Sequence, residues 1–416
     1  MDKLAEFVSQ HMSVDTARLI MNRSKWPEID MDLAVNCIVS RRKLKGKVRE
    51  WHENPSLIFP LKLSTEQCSS SATGRHKART ACRIAMTDRN AAEESRGWKI
   101  ADLTGGLGVD SWFFSLHASE VLYNEMQSPL CKAAAHNFKA LKADNIRISN
   151  CIAEKGCIGE ILGDFRPDIV YMDPARRGEG GKKVFLIEEC TPDVLTLKEE
   201  IFRHTRHILI KLSPMADITM VCSRLGNTCR EVHVVASGKE CKELLIWMDR
   251  EWNGGYGITA SELNEEGSDD FTFSPEEEKS AVPQIFMGSS AAAGSYLFEP
   301  GKALMKAGAF NLISSMFGIR KLGRSTHYYI TDDKEKASGL EGFGKVYEIV
   351  RCEPLDKRSM KAAGKDFPKA EVTARNIPMD TDTLRKKMGV TSGDDAHIFG
   401  LKSDTLGNML IITRRC

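Results

Sequence analysis

An acid, Asp102, stands three residues ahead of a turn that holds Gly105, Gly106 and Gly108, and a second acid, Asp110, follows two residues later. Glycines so spaced let a backbone turn tightly and approach a ligand closely. Two kinds of ligand suit such a turn: a diphosphate, or a cationic sulfur compound with an amino-acid end. A diphosphate-binding fingerprint reads G-x-G-x-x-G. From Gly106 the chain reads Gly-Leu-Gly-Val-Asp-Ser, so Ser111 takes the third glycine's place. Asp102 and Asp110 beside a helix start also oppose an anion there.

S-adenosylmethionine reverses the electrostatics, because its ammonium and sulfonium attract carboxylates. Thr104 belongs to the same turn. Glu125, 17 residues beyond Gly108, ends the next strand-like run, where a carboxylate can accept both ribose hydroxyls. Taken singly, each residue reads as a cap, a surface acid or a packing glycine. Their order after successive strands favours the ligand.

A second group follows in Val-Tyr-Met-Asp-Pro-Ala-Arg-Arg. Asp173-Pro174 ends a strand, where open α/β sheets face their ligands. Asp173 is suited to accept a hydrogen bond from the group being methylated, or to act as its base. Arg176 and Arg177 are suited to a substrate phosphate; the plainer reading pairs them with nearby acids. Lys211 and Ser213 end the following strand on the same rim.

These residues need a frame. Short β-rich runs at 99–103, 120–125, 145–149, 168–173 and 207–213 alternate with amphipathic stretches, the signature of a parallel sheet covered by helices. Val109, Trp112, Phe113 and Leu116 give helical spacing, as do Leu130, Ala134, Phe138 and Leu141. Runs at 231–237 and 243–249 are joined by five residues, too few for a parallel crossover. An antiparallel hairpin therefore closes the sheet.

The fold class expected is α/β: a Rossmann-like sheet between a helical N-terminal region and two small C-terminal αβ domains. The expected divisions are 1–64 helical, 65–252 the sheet domain, 253–284 a linker or arm, and 285–345 and 346–416 the two αβ domains.

A chain of 416 residues with 42% hydrophobic and 28% charged residues is an ordinary multidomain globular protein. It has no membrane-length apolar run and no apolar secretory core at its start, so a cytoplasmic location is expected. Twelve cysteines without a CxxC pair argue against a metal site or a disulfide scaffold. Net charge is only +2, but basic residues cluster at Arg41, Arg42, Lys43, Lys45, Lys47 and Arg49, and at Arg75, Lys77, Arg79 and Arg83. Such a stripe suits either a nucleic-acid backbone or a solvated helix face.

The segments DLTGGLGVDS, DPARRG, KLSPM and ECKEL, with TEQCSSSATGRHKA before them, resemble the class I S-adenosylmethionine-dependent methyltransferases that carry a C-terminal THUMP-like domain. YLFEPGKALMKAGAF resembles their ferredoxin-like domain, and ARNIPMDTDTLRKKMGVTSGDDAHIFG their THUMP-like domain. The likeness covers roughly 60 to 416. It implies S-adenosyl-L-methionine as cofactor, with Asp102, Thr104, Gly105, Gly106, Gly108, Asp110 and Glu125 holding it and Asp173 and Pro174 at the catalytic position. It implies RNA as acceptor, tRNA being the narrower expectation.

Two departures stand out. The acid that contacts adenine after the third strand in many such enzymes is replaced by Asn150, Cys151 and Ile152, so the contact falls to Asn150 or to backbone. Arg176 stands where amino-group methylases carry an aromatic that stacks on a flipped base. A base-carbon mechanism would need a cysteine nucleophile; Cys68, Cys190 and Cys241 lie near the motifs, and a buried structural thiol is the plainer role for each. The alternatives are a small-molecule methyltransferase and a non-catalytic RNA-binding protein that keeps the fold. The oligomeric state is left open by the sequence.

Overall fold

The structure is a computed structural model and describes residues 2–87, 89, 96–176, 186–238, 240–265, 267–288 and 293–416. The chain divides into two compact units, the first comprising Met1–Ser237, Lys242–Tyr256 and Leu263–Gly267.

In the first unit the strands are β1 (Lys99–Asp102), β2 (Glu120–Asn124), β3 (Ile146–Ser149), β4 (Ile169–Met172), β5 (Ala175–Arg176), β6 (Cys190–Thr191), β7 (His207–Leu212), β8 (Cys229–Ser237) and β9 (Glu240–Asp249). Seven of them lie in the order β8-β9-β7-β4-β1-β2-β3. β1 runs parallel to β2 and β4, and β4 parallel to β7. β9 is antiparallel to β7, pairing Lys211 with Leu245. The expected closing hairpin is thus present. The parallel register sets Asp102 beside Tyr123 and Tyr171, so the carboxyl ends of β1, β2 and β4 share one edge.

Local chemistry fixes the helices that flank this edge. Ser70 and Thr73 form a capping box that starts helix Ser71–Met86. A left-handed Gly108 starts helix Val109–Ser115. That helix stops one residue short of the face expected for it, and Leu116 lies beyond its end, 55% exposed. Pro129 opens helix Ser128–Ala140, where a missing N–H costs nothing.

The N-terminal helices share the core of the sheet rather than forming a separate one. Trp51 packs edge-on against Trp112, and Phe59, Ala81, Phe113 and Tyr123 belong to the same buried cluster. Buried Asn137 clamps the incoming loop: its Oδ1 accepts from the Ile58 N–H at 2.8 Å and its amide donates to the Ile58 carbonyl at 2.9 Å.

The second unit holds β10 (Gly257–Leu263), β11 (Ser268–Phe273), β12 (Gln284–Ile285), β13 (Tyr296–Pro300), β14 (Arg320–Lys321), β15 (Tyr329–Thr331), β16 (Gly344–Pro354), β17 (Lys369–Arg375), β18 (Thr391–Ser403) and β19 (Gly407–Arg415). The 253–284 segment, expected to be a linker, therefore carries two strands and a capped helix, Pro275–Ser280. Its acids and glycines obscured a run buried from Ile258 to Ser261 and the alternation that buries Phe271 and Phe273.

The two expected αβ domains share one eight-stranded sheet, β12-β14-β15-β13-β16-β19-β18-β17. Neighbouring side chains on one strand face opposite ways. Phe399 and Ile411 enter one apolar cluster, and Ile398 and Ile412 enter another with Met360, Leu384 and Met388. Among the described residues no helix is long and apolar enough to cross a membrane.

Replacing Asn137 by Ala should leave the Ile58 amide and carbonyl without partners, costing about 1–3 kcal/mol. Thermal denaturation of the whole chain, with limited proteolysis across residues 54–60, reads this directly. Unchanged melting would show that the clamp is not needed.

Candidate active site

The glycine turn is held by backbone bonds that only small residues permit. Gly105 N–H donates to the Asn124 carbonyl at 2.7 Å, and a Cβ on Gly105 would lie 2.2 Å from the Tyr123 ring. Tyr123 in turn donates its hydroxyl to the Gly106 carbonyl at 2.6 Å. Gly108 has a φ of 92° and would drive a Cβ into Phe138.

Glu125 is buried and gripped at both oxygens, by Gly106 N–H at 2.9 Å and Gln127 N–H at 2.8 Å. Asp102 accepts from Thr104 N–H at 3.0 Å and from the Ser111 hydroxyl at 2.6 Å. Ser111, the residue that broke the diphosphate fingerprint, is therefore an aiming group for the acid. Thr104 joins two strand ends, since its Oγ1 also accepts from Asp173 N–H at 2.7 Å.

On the far side Asp173 and Lys211 form an ion pair at 2.7 Å. Burial acts to lower the Lys211 pKa, but the charges of Asp173, Glu243 and Asp110 outweigh it and the ammonium is held above its ordinary range. Asp110 faces a different partner from the one its position suggested. Its Oδ2 accepts from the Tyr171 hydroxyl at 2.9 Å, and its Oδ1 lies 3.3 Å from Lys77 Nζ. Lys77 is completely buried and also bonds both oxygens of Glu243, each at 3.0 Å, and Ser69 at 2.6 Å. Burial opposes the Lys77 charge, yet Asp110 and Glu243 raise its pKa. Reading the sequence missed Lys77 and Glu243 as parts of the site; a lysine within a helical basic run carries no signal of burial.

These groups surround a cleft of about 690 Å³. It is lined by Asp102, Thr104, the three glycines, Asp110, Glu125, Asp173, Pro174, Lys211 and Ser213, which brings most of the expected site residues together. Asn150 does not line it; its amide braces the loop by donating to the Glu125 carbonyl at 2.6 Å and the Met126 carbonyl at 3.2 Å. The apolar side chains there are Met126 and Ile152, 59% and 55% exposed. Buried Asn124, also missed, ties that loop down through Leu103 and Cys151.

Arg176 pairs by its backbone with Cys190, and its side chain lies outside the described residues, as does the whole of Arg177. No aromatic side chain is among the described residues that line the cleft. Cys68 lines it, but burial pushes its thiol up to about 11, which keeps the proton on sulfur at neutral pH. Cys190 is buried behind β5, and Cys241 belongs to the second unit.

The basic stripe has mostly internal work. Arg42 donates to the Met12 and Val14 carbonyls, Lys43 pairs with Glu66, Arg49 with Glu53, and Arg75 with Glu50. Lys47 bonds the Thr65 and Glu66 carbonyls, and Arg83 pairs with Glu231.

Comparison with known proteins agrees with this architecture. Residues 296–337 match the model of a ferredoxin-like domain, and residues 344–415 that of a THUMP domain-like family. The chain shares its fold over its whole length with the crystal structure of a "putative methyltransferase" from Porphyromonas gingivalis W83. The two are 28% identical with a TM-score of 0.85, covering 100% of this chain and 98% of that one. An rRNA methylase from Streptococcus thermophilus aligns over 41% of this chain and 94% of its own at 10% identity and a TM-score of 0.29. M. capricolum TrmK, in complex with S-adenosyl-homocysteine, aligns over 42% of this chain and 69% of its own at 10% identity and a TM-score of 0.29. Likenesses so slight carry no argument. No curated protein matches the chain.

Burial raises the Asp102 carboxyl from 3.8 to about 7, against the lowering effect of Ser111 and Thr104, and the charges of Asp110 and Asp173 add to the rise. The folded state therefore keeps a proton that the unfolded chain releases near pH 4. Stability through this group falls as pH rises from about 4 to about 7, by roughly 4 kcal/mol, and is level above that. Asp102→Asn should accordingly melt higher than the native protein at pH 8 and show little gain at pH 4. An equal change at both pH values would show that Asp102 carries no such burden.

Proposed function

We propose that the protein is an S-adenosylmethionine-dependent methyltransferase whose acceptor is RNA. The observation that carries the cofactor is Asp102, a buried carboxyl held at the end of β1 with a proton affinity far above normal. A ligand ammonium beside it offsets the cost of the charge, whereas a diphosphate would add to it. Glu125, fixed by two backbone N–H groups, is suited to accept from the ribose hydroxyls. The exposed Met126 and Ile152 in the cleft lining offer adenine apolar contact. Gly105 and Gly108 leave room that a Cβ would fill. S-adenosylmethionine supplies the methyl group and leaves as S-adenosylhomocysteine. Asp173, Lys211 and the hydroxyls of Ser69 and Ser213 are the polar groups for an acceptor. Holding the reactants together does most of the catalysis.

RNA is supported by the second unit taken by itself. Helices Lys357–Asp366 and Thr381–Met388 pack so closely that a Cβ on Gly364 would lie 1.7 Å from the Met388 carbonyl. Together they expose Lys357, Arg358, Lys361, Lys365, Lys386 and Lys387. That charge is suited to a phosphate backbone, and both helices lie inside the THUMP domain-like match. tRNA remains the narrower expectation within this reading. One observation favours a small-molecule acceptor instead: the described cleft lining offers no aromatic on which a flipped base could stack.

S-adenosylhomocysteine should raise the melting temperature, and its affinity should fall up to about tenfold per pH unit below 7 as Asp102 takes up a proton. Asp102→Asn should abolish that pH dependence and weaken binding by about 100-fold or more. Tight, pH-independent binding by the native chain would remove this account. Reversing four cations together, Lys361→Glu, Lys365→Glu, Lys386→Glu and Lys387→Glu, should weaken RNA binding at least tenfold. It should also flatten the slope of log affinity against log salt by about 2–3. Unaltered RNA affinity would favour the small-molecule acceptor.

A further inference from the structure

At the acceptor end of the cleft two lysines and two acids form linked pairs. Lys77 Nζ holds both oxygens of Glu243 at 3.0 Å, and Lys211 Nζ holds Asp173 at 2.7 Å. The pairs also act on each other, since Glu243 contributes to the field at Lys211 and Asp173 to that at Lys77. The four residues come from four separate elements: helix Ser71–Met86, the exit of β4, β7 and β9. Lys77 and Glu243 are buried, and Lys211 and Asp173 half-buried; ion pairs so placed are a poor way to stabilise a fold, so their convergence at a cleft points to chemistry.

Three features of the lining narrow that chemistry. Ser69 Oγ accepts from Lys77 at 2.6 Å, so its own proton is left to donate into the cleft. Ser64, Thr191 and Ser213 add further hydroxyls, and Lys211 and Asp173 face the same space. A planar base finds no aromatic platform among the described lining residues.

A ring nitrogen such as adenine N1 or guanine N7 brings a free lone pair and needs no base, and the ring N–H groups of guanine and uracil are far more acidic than an alcohol. An alcohol is a weak nucleophile whose proton must be taken as it reacts. A carboxylate aimed by an ammonium 2.7 Å away meets that requirement.

We propose that the atom methylated is an alcohol oxygen, and that it is the ribose 2′-hydroxyl of an RNA acceptor. This rests on the methyltransferase reading above and refines its acceptor. The hydroxyl oxygen forms the new bond to the methyl carbon as the carbon–sulfur bond breaks, and the bonding pair stays on sulfur. The oxygen becomes strongly acidic as it is alkylated, and its proton passes to Asp173. Lys211 orients the carboxylate and donates to the acceptor oxygen. Lys77 and Glu243 are positioning residues: Lys77 holds the Glu243 carboxylate, whose charge favours the Lys211 ammonium.

The test is incubation of the full chain with methyl-labelled S-adenosylmethionine and RNA, followed by alkaline hydrolysis. A 2′-O-methyl group blocks cleavage at its own linkage, so label should appear in alkali-resistant dinucleotides and be absent from a DNA strand of the same sequence. Lys211→Met should lower incorporation at least 100-fold while the melting shift with S-adenosylhomocysteine is kept, which separates lost chemistry from lost folding. Label released in mononucleotides carrying a methylated base would overturn the alcohol and leave the RNA reading standing. Label absent from RNA but present in an alkali-stable ether of a small sugar would keep the alcohol and overturn RNA. Incorporation by Lys211→Met within threefold of the native rate would overturn the role given to the ion pair.

Discussion

A lysine with no access to water sits beneath the cleft, and the geometry above it depends on how that charge is satisfied. Lys77 reaches out of helix Ser71–Met86 to Glu243 on β9, to Asp110 in the helix after the glycine turn, and to Ser69 at the wall. Each partner belongs to a different element, so one ammonium sets the distance between three of them. Removing one member of such a buried group typically costs about 3–5 kcal/mol, because the charge left behind is uncompensated. The N-terminal helices are in this sense part of the sheet unit's active edge, even though they contribute no strand.

Asp102 poses the opposite case, a charge the fold does not compensate. Its neighbours Asp110 and Asp173 each lie beside a lysine ammonium, whereas among the described residues Asp102 meets only two hydroxyls and an amide. The fold thus leaves a local electrostatic deficit at the end of β1. A carboxyl so perturbed marks a candidate functional position, where either a proton or a bound cation removes the deficit.

Much of this was legible in the sequence. The five parallel strands and the closing hairpin announced themselves through period and link length. The turn residues Asp102, Gly105, Gly106 and Gly108, with Glu125 and Asp173, met at one cleft because a parallel register must bring strand ends together. What stayed hidden depended on long-range pairing. Lys77 and Glu243 are 166 residues apart, and nothing local distinguishes either from a surface charge. The basic stripe misled for the same reason, since its carboxylate and carbonyl partners lie on other segments. Asn150 sits at the expected place in the chain, but its amide is committed to backbone carbonyls. The 253–284 strands were masked by the acids Glu262, Asp269 and Asp270 within them and by the turn residues around them.

The C-terminal sheet has a consequence of its own. The two segments matched by separate family models, 296–337 and 344–415, are joined edge to edge: β13 lies along β16, and β16 along β19. A chain severed between them would leave each fragment with a bare strand margin of unpaired amides and carbonyls, open to whatever strand came first. The pair is therefore one heritable piece, free to be moved together in evolution but not to be shuffled apart.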